Sequence, residues 1–215
     1  MRCGCILRFT LSLCDVEELP VQRGIEVRYE TICCWTRKLG QVFAPNLRRD
    51  RPVPTGRWHL DEMLVKVGGK RMWLWRAVDD EGEVLDVLLQ KRRNKRAALK
   101  LLRKLLKNTA IRNETITTDG LTSYRAAMRD KGLPRRQRHS AMRANNRAEK
   151  SHLPIRRREQ KQQKFKSKGS AQRLLSTHAA AYNTFKVQKH LVPRPTLRRF
   201  RAAAHQTWAA ATAAV

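Results

Sequence analysis

The stretch from Trp58 to Leu89 leaves few folds open. Trp58–Val67 alternates, with Leu60, Met63 or Leu64, Val65 and Val67 apolar, and runs into the tight turn Gly68-Gly69. Arg71–Val78 is rich in tryptophan, Asp80-Glu81-Gly82 turns the chain again, and Val84–Leu89 is a third apolar run. Two hairpins in succession predict an antiparallel meander. Beyond it the period lengthens. In Asn94–Lys107, Leu99, Leu102, Leu105 and Leu106 fall on one face and the cations on the other, which predicts an amphipathic helix. Thr115–Thr118 reads as a short β-branched strand ending at Asp119-Gly120. Ser123–Asp130 reads as a helix and Arg135–Ser140 as a fifth strand. A long helix opens at Asn146 and breaks near Pro154, and Gly169 separates it from a last helix, Ala171–Lys189. Strands followed by alternating helices and strands make an α/β chain, a mixed sheet flanked by helices on both faces.

Ahead of this core, Asp15 caps a helix that begins Val16-Glu17-Glu18-Leu19 and ends at Gly24. A second helix, Tyr29–Leu39, carries Ile32, Trp35 and Leu39 on one face, with Arg37 and Lys38 beside it. Helix, glycine turn and basic helix is the pattern of a helix-turn-helix DNA reader, and equally of an ordinary helical hairpin. Pro20 lies inside the first helix, where it removes a backbone donor. The expected organisation is a partial helix-turn-helix over residues 1–43 and a basic, Pro-rich linker over 44–57. A catalytic core over 58–190 and a C-terminal basic tail or helix over 191–215 follow.

Charge narrows the function. The chain carries 47 Lys+Arg against 18 Asp+Glu, a net +29. Such an excess repels itself unless an anionic partner relieves it. Nucleic acid meets that need best, because each neutralised phosphate releases counterions. A solvated surface without a partner is the bland alternative. A membrane surface is disfavoured by the lack of a long amphipathic basic helix with aromatic anchors. The imbalance is uneven. From Lys131 onward there are 21 Lys/Arg and two acids, Glu149 and Glu159, whereas seven acids lie between Asp61 and Asp86. No stretch is apolar enough to span a bilayer, and Arg8 interrupts the apolar opening, so a cytoplasmic, nucleoid-associated protein is expected. The five cysteines, all within the first 34 residues, match no standard zinc spacing and read as reduced thiols.

Three carboxylates carry the chemistry. Asp61 sits among apolar residues in the first strand, Asp119 ends a strand at a glycine turn, and Glu149 opens a helix in a region almost empty of acids. Singly, each reads equally as a turn, cap or surface-pair residue. Converging, they make a site for a hard cation. Two Mg2+ ions, with Mn2+ a possible substitute, can clamp an in-line displacement at phosphorus. His152, one turn beyond Glu149, could face the site but reads better as a surface histidine, and Trp73 and Trp75 read as core packing on one sheet face in preference to base stacking.

The segments Trp58-His59-Leu60-Asp61-Glu62, Arg76-Ala77-Val78-Asp79, Thr117-Thr118-Asp119-Gly120 and Asn145-Asn146-Arg147-Ala148-Glu149 resemble the bacterial insertion-sequence transposases of the IS-six family. So do Phe165-Lys166-Ser167, Gly169-Ser170-Ala171-Gln172-Arg173 and Tyr182-Asn183. The resemblance implies an RNase H-like core of the retroviral-integrase type, with Asp61, Asp119 and Glu149 as a DDE triad that binds metal. It implies a helix-turn-helix, truncated here, that reads terminal inverted repeats in double-stranded DNA. It also implies a homo-oligomer on that DNA and on target DNA, with no membrane role. The implied activity is metal-dependent strand cleavage and transfer. Arg37, Lys38, Arg147, Lys150, Arg156, Arg157 and Arg158 are the expected DNA contacts. The alternatives are an inactive remnant that only binds DNA, and a basic RNA-binding protein.

Overall fold

The computed structural model describes residues 6–9, 11–21, 24–51, 53–108, 114–139, 146–161, 165–187 and 191–213. In chain order its elements are α1 (Leu13–Val21), α2 (Tyr29–Arg49), β1 (Arg57–Val67), β2 (Lys70–Asp79) and β3 (Val84–Gln90), then α3 (Lys95–Asn108), β4 (Thr115–Thr118) and α4 (Thr122–Asp130). A 3-10 turn (Pro134–Arg136) leads to β5 (Gln137–His139), α5 (Asn146–Lys161), α6 (Lys168–Phe185) and α7 (Arg194–Ala213). Two compact units result: Val53–Gln172, and Met1–Pro52 together with Arg173–Val215.

The first of these units holds one five-stranded sheet in the order β3-β2-β1-β4-β5. β2 runs antiparallel to both β1 and β3, while β4 is parallel to β1 and β5 parallel to β4. A meander extended by parallel strands with β2 alone reversed is the RNase H-like sheet, as expected. Alternation along β1 decides what covers each face. Trp58 and Leu60 join Trp75 and Ala77 of β2 in a core closed by Ala98, Leu101, Leu102 and Leu105 of α3 and by Tyr124, Ala127 and Met128 of α4. Asp61 therefore points the other way, to the face on which α5 lies against β1 and β2. The Gly68-Gly69 turn needs both glycines. Each has positive φ, and a Cβ on Gly68 would stand 2.8 Å from the Lys166 carbonyl oxygen. Trp75 is fully buried, with its ring edge-on to Tyr124 at 5.3 Å, so core packing accounts for it.

Two helices run on where proline was expected to stop them. α5 continues unbroken through Pro154 to Lys161, because Ala148, Ser151, His152, Ile155 and Arg158 form one buried stripe along it. α2 continues through Pro45 to Arg49, so the expected linker at 44–57 is helical over its first part. Ile32, Thr36, Gly40, Phe43, Ala44 and Leu47 keep a helical spacing of buried positions past the proline. In this second unit Phe43, Ala44 and Leu47 pack with Ala180 and Ala181 of α6 and Trp208 and Ala211 of α7, and Phe43 meets Trp208 edge-on at 5.0 Å. That burial outweighs the lost backbone bond, which costs about 3 kcal/mol in a helix interior. α1 starts one turn earlier than read. Ser12 is its cap, with the Asp15 amide donating to Ser12 Oγ at 3.0 Å and the Ser12 amide to Asp15 Oδ2 at 2.7 Å, a reciprocal capping box. Cys14, Cys33 and Cys34 are free thiols, whereas Cys3 and Cys5 lie outside the described residues.

Candidate catalytic site

The site follows from a register. Leu60 of β1 pairs with Thr118 of β4, and β4 ends there. The next residue on each strand is an aspartate, so Asp61 and Asp119 come side by side although the chain between them builds two strands and a helix. Gly120 follows at φ +86°, turning the chain away. The Leu121 amide then donates back to Asp119 Oδ1 at 3.1 Å, which orients the carboxylate.

Glu62 is the residue the sequence did not mark. Carboxylate oxygens of Asp61, Glu62 and Asp119 all lie within 4.8 Å of one another. Asp61 and Glu62 are buried; Asp119 is exposed. A trio of oxygen donors this close suits a hard divalent cation. Glu62 is also claimed by protein groups. Arg93 Nε donates to its Oε1 at 2.6 Å, the Arg93 Nη2 pairs with the same oxygen, and the fully buried Tyr124 lies beside it. Arg93 Nη2 reaches Asp119 Oδ2 as well, at 3.2 Å, and its guanidinium sits over the Trp73 ring at 5.1 Å from the centroid.

Electrostatics follow from this crowding. Burial first, then the charges of Glu62, Asp119 and Glu149, push the Asp61 carboxyl up to about 7, against the Glu62 amide that donates to its Oδ1 at 2.9 Å. Burial and then the Asp119 charge also raise Glu62, with Arg93 opposing. Burial above all, then the Glu62 charge, raises the Tyr124 hydroxyl well above its usual value.

His152 overturns its expected surface position. It is buried on α5, with Nδ1 3.6 Å from Asp61 Oδ2. Burial, then Arg76 and Arg156, press the imidazole down to about 3, so it is neutral at neutral pH. The approach is therefore a contact between a neutral ring and a carboxyl, not a salt bridge. A histidine one turn after Glu149, on the helix face that also carries Ala148 and Ile155, was the available signal.

Glu149 stands exposed in the first turn of α5, where its charge acts on Asp61, but it is not among the three carboxylates clustered within 4.8 Å. Arg147, Lys150, Arg156 and Arg157 of α5 are exposed, as are Arg37 and Lys38 of α2. Arg158 is the exception to the expected DNA contacts. It is 2% exposed, and burial lowers its guanidinium to about 10, so it belongs to the packing under α5 rather than to the basic surface. Asn146 is the first residue of α5, and Asn145 lies outside the described residues. Among the described residues, no helix is long and apolar enough to cross a membrane.

The sheet sets Asp61, midway along β1, beside Asp119, just beyond the end of β4, and this defines an RNase H-like α/β protein with a carboxylate cluster at adjoining parallel strands. A family model described as a DDE domain matches residues 55–188, and the chain belongs to that family, the DDE insertion-sequence transposases. Relatives include the transposase for insertion sequence-like element IS431mec of Staphylococcus aureus strain Mu50, 30% identical over 125 residues. The transposase for insertion sequence element IS257 in transposon Tn4003, also of Staphylococcus aureus, shows the same identity over the same length. Each match covers 58% of this chain and 55% of the relative, so the chain spans about half the length of the curated relatives it matches. A chain of the simian T-cell lymphotropic virus intasome solved with PP2A regulatory subunit B56 gamma is similar at TM-score 0.42 and 15% identity, covering 67% of this chain and 57% of that one. The strand order by itself defines the fold.

Proposed function

We propose that this chain carries out metal-dependent DNA strand cleavage and strand transfer, with Asp61, Asp119 and Glu149 as its catalytic carboxylates. The observation that carries the reading is the adjacency of Asp61 and Asp119 across the β1–β4 register in a chain of the DDE family. Asp61 and Asp119 would hold divalent cations, Mg2+ or Mn2+, with Glu149 completing the ligand set from α5. When bound, such ions supply Lewis-acid activation of the attacking oxygen and stabilisation of the leaving one.

The chain's own residues do the rest. The Leu121 amide holds one oxygen of Asp119, and the Glu62 amide holds one oxygen of Asp61, so each carboxylate keeps a second oxygen for other partners. His152, buried on α5, sets a neutral ring 3.6 Å from the Asp61 carboxylate. Arg147, Lys150, Arg156 and Arg157 lie exposed on the helix that carries Glu149, so a phosphodiester backbone gripped there passes the carboxylates. Arg37 and Lys38 offer a second basic contact, on a helix suited to double-stranded DNA, and a homo-oligomer on DNA follows the same reading.

The test is joining of a labelled element-end duplex to a plasmid by the purified protein with Mg2+, with EDTA, and as Asp119→Ala. Product that needs both the metal and Asp119 is expected. Product from the Asp119→Ala variant would sink the assignment. Intact DNA binding with no product from the wild-type chain would leave a DNA-binding protein without strand transfer.

A further inference from the structure

Arg93 bridges two of the site's carboxylates, Glu62 and Asp119. Its anchor is Glu62, whose side chain is fully buried, while the Arg93 side chain is 38% exposed and Asp119 31% exposed. The guanidinium is pinned from below by Glu62, braced by Trp73, and open on the side where Asp119 stands. Its contacts use Nε and Nη2, so Nη1 has no protein partner among the described residues. A planar fork with spare donors beside a carboxylate-lined site is the geometry that binds a phosphate through two hydrogen bonds.

We propose that Arg93 is a catalytic phosphate clamp that exchanges Asp119 for a phosphate oxygen of the DNA strand when Asp119 turns its carboxylate to a cation. The proposal rests on the strand-transfer reading above. Arg93 and a cation compete for the same Asp119 oxygen. A phosphate that takes over the guanidinium removes the competitor and adds a negative charge beside the cation. DNA and cation therefore tighten one another's binding through Arg93. Glu62 keeps the guanidinium in place during the exchange, which makes it a positioning residue rather than a required cation ligand.

The experiment is a Mn2+ titration of the full chain, with free ion read by electron paramagnetic resonance, with and without a short duplex of arbitrary sequence. In the wild-type chain the duplex is expected to tighten Mn2+ binding about tenfold, a common size for coupling between two sites. In Arg93→Met the factor should fall below about twofold, while Mn2+ affinity without DNA is unchanged or higher because the competitor is gone. Glu62→Gln, which loosens the anchor, should also lower the coupling. Coupling retained in Arg93→Met would overturn the proposal, and so would a loss of DNA-free Mn2+ affinity, which would mean that Arg93 only positions Asp119. Should Arg93→Met fail to fold, Arg93→Lys, which keeps the charge but loses the fork, carries the same comparison. Asp119→Asn separates the two levels of failure. If it binds Mn2+ as the wild type does, the strand-transfer reading falls and the clamp with it; if it loses Mn2+ while Arg93→Met keeps the coupling, the clamp alone falls.

Discussion

Asp61→Asn should stabilise this protein at alkaline pH, and the size of the gain can be worked from the site. The carboxyl is raised from 3.8 to about 7 by burial and by three neighbouring acids. At about 1.36 kcal/mol per pH unit, an ionised Asp61 costs the folded state at most roughly 4 kcal/mol. Relaxation around the charge reduces this to about 1–2 kcal/mol in practice. The sign is fixed by linkage. Below about pH 4 the group is protonated both folded and unfolded, so it costs nothing. Between about pH 4 and pH 7 the unfolded chain releases its proton first, and the penalty grows until the folded carboxyl ionises too. Asparagine keeps the oxygen that accepts the Glu62 amide and removes the charge. Its melting temperature should match the wild type near pH 4 and exceed it by roughly 2–8 °C at pH 8, both in EDTA. Divalent cation should raise the wild-type melting temperature and leave Asp61→Asn almost unmoved, since binding to the folded state alone stabilises. A variant destabilised by the same amount at both pH values would refute the reasoning. So would equal stabilisation of both proteins by Mg2+.

Two further substitutions separate roles that the sequence merges. Arg158→Ala should lower stability by about 2–4 kcal/mol in a denaturant titration, with little change in the salt slope of DNA binding, because the side chain is buried. Arg156→Ala, exposed two residues earlier, should leave stability alone and reduce that slope by about one. Gly120→Ala meets open space but forces alanine to φ +86°, so it should cost about 1 kcal/mol in thermal unfolding and slow strand joining by displacing Asp119. Wild-type joining in that variant would detach the turn from the site's geometry.

Local rules carried most of the sheet. The meander's alternation and its glycine turns place β1, β2 and β3 to within one or two residues, because strand period and turn chemistry are short-range. Proline misled at Pro45 and Pro154, where the cost to one helical bond is outweighed by a buried stripe that is visible only once its partners are known. Asp61 and Asp119 stood out as acids at odds with their surroundings. Glu62 did not, because alternation suggested a strand with one wet face. β1 is the central strand, residues Leu60, Asp61, Glu62 and Met63 are all buried, and an acid on either face then needs a partner. A hint existed in Lys91-Arg92-Arg93, three cations just before a helix N-terminus, where the dipole disfavours positive charge and an anionic partner is called for. Which arginine answers which acid is a long-range fact that no periodicity contains.

The pairing of Leu60 with Thr118 has one more consequence. It makes the site a ruler graduated in interstrand spacings. Loops can lengthen or shorten between β1 and β4 without moving the aspartates, so length changes there are silent to chemistry. Deleting one residue from Thr115–Thr118 is not: every side chain on that strand changes face, and the second aspartate arrives on the wrong side of the sheet. The intact four-residue β4 is thus what brings Asp61 and Asp119 together, whatever the length of the chain between them.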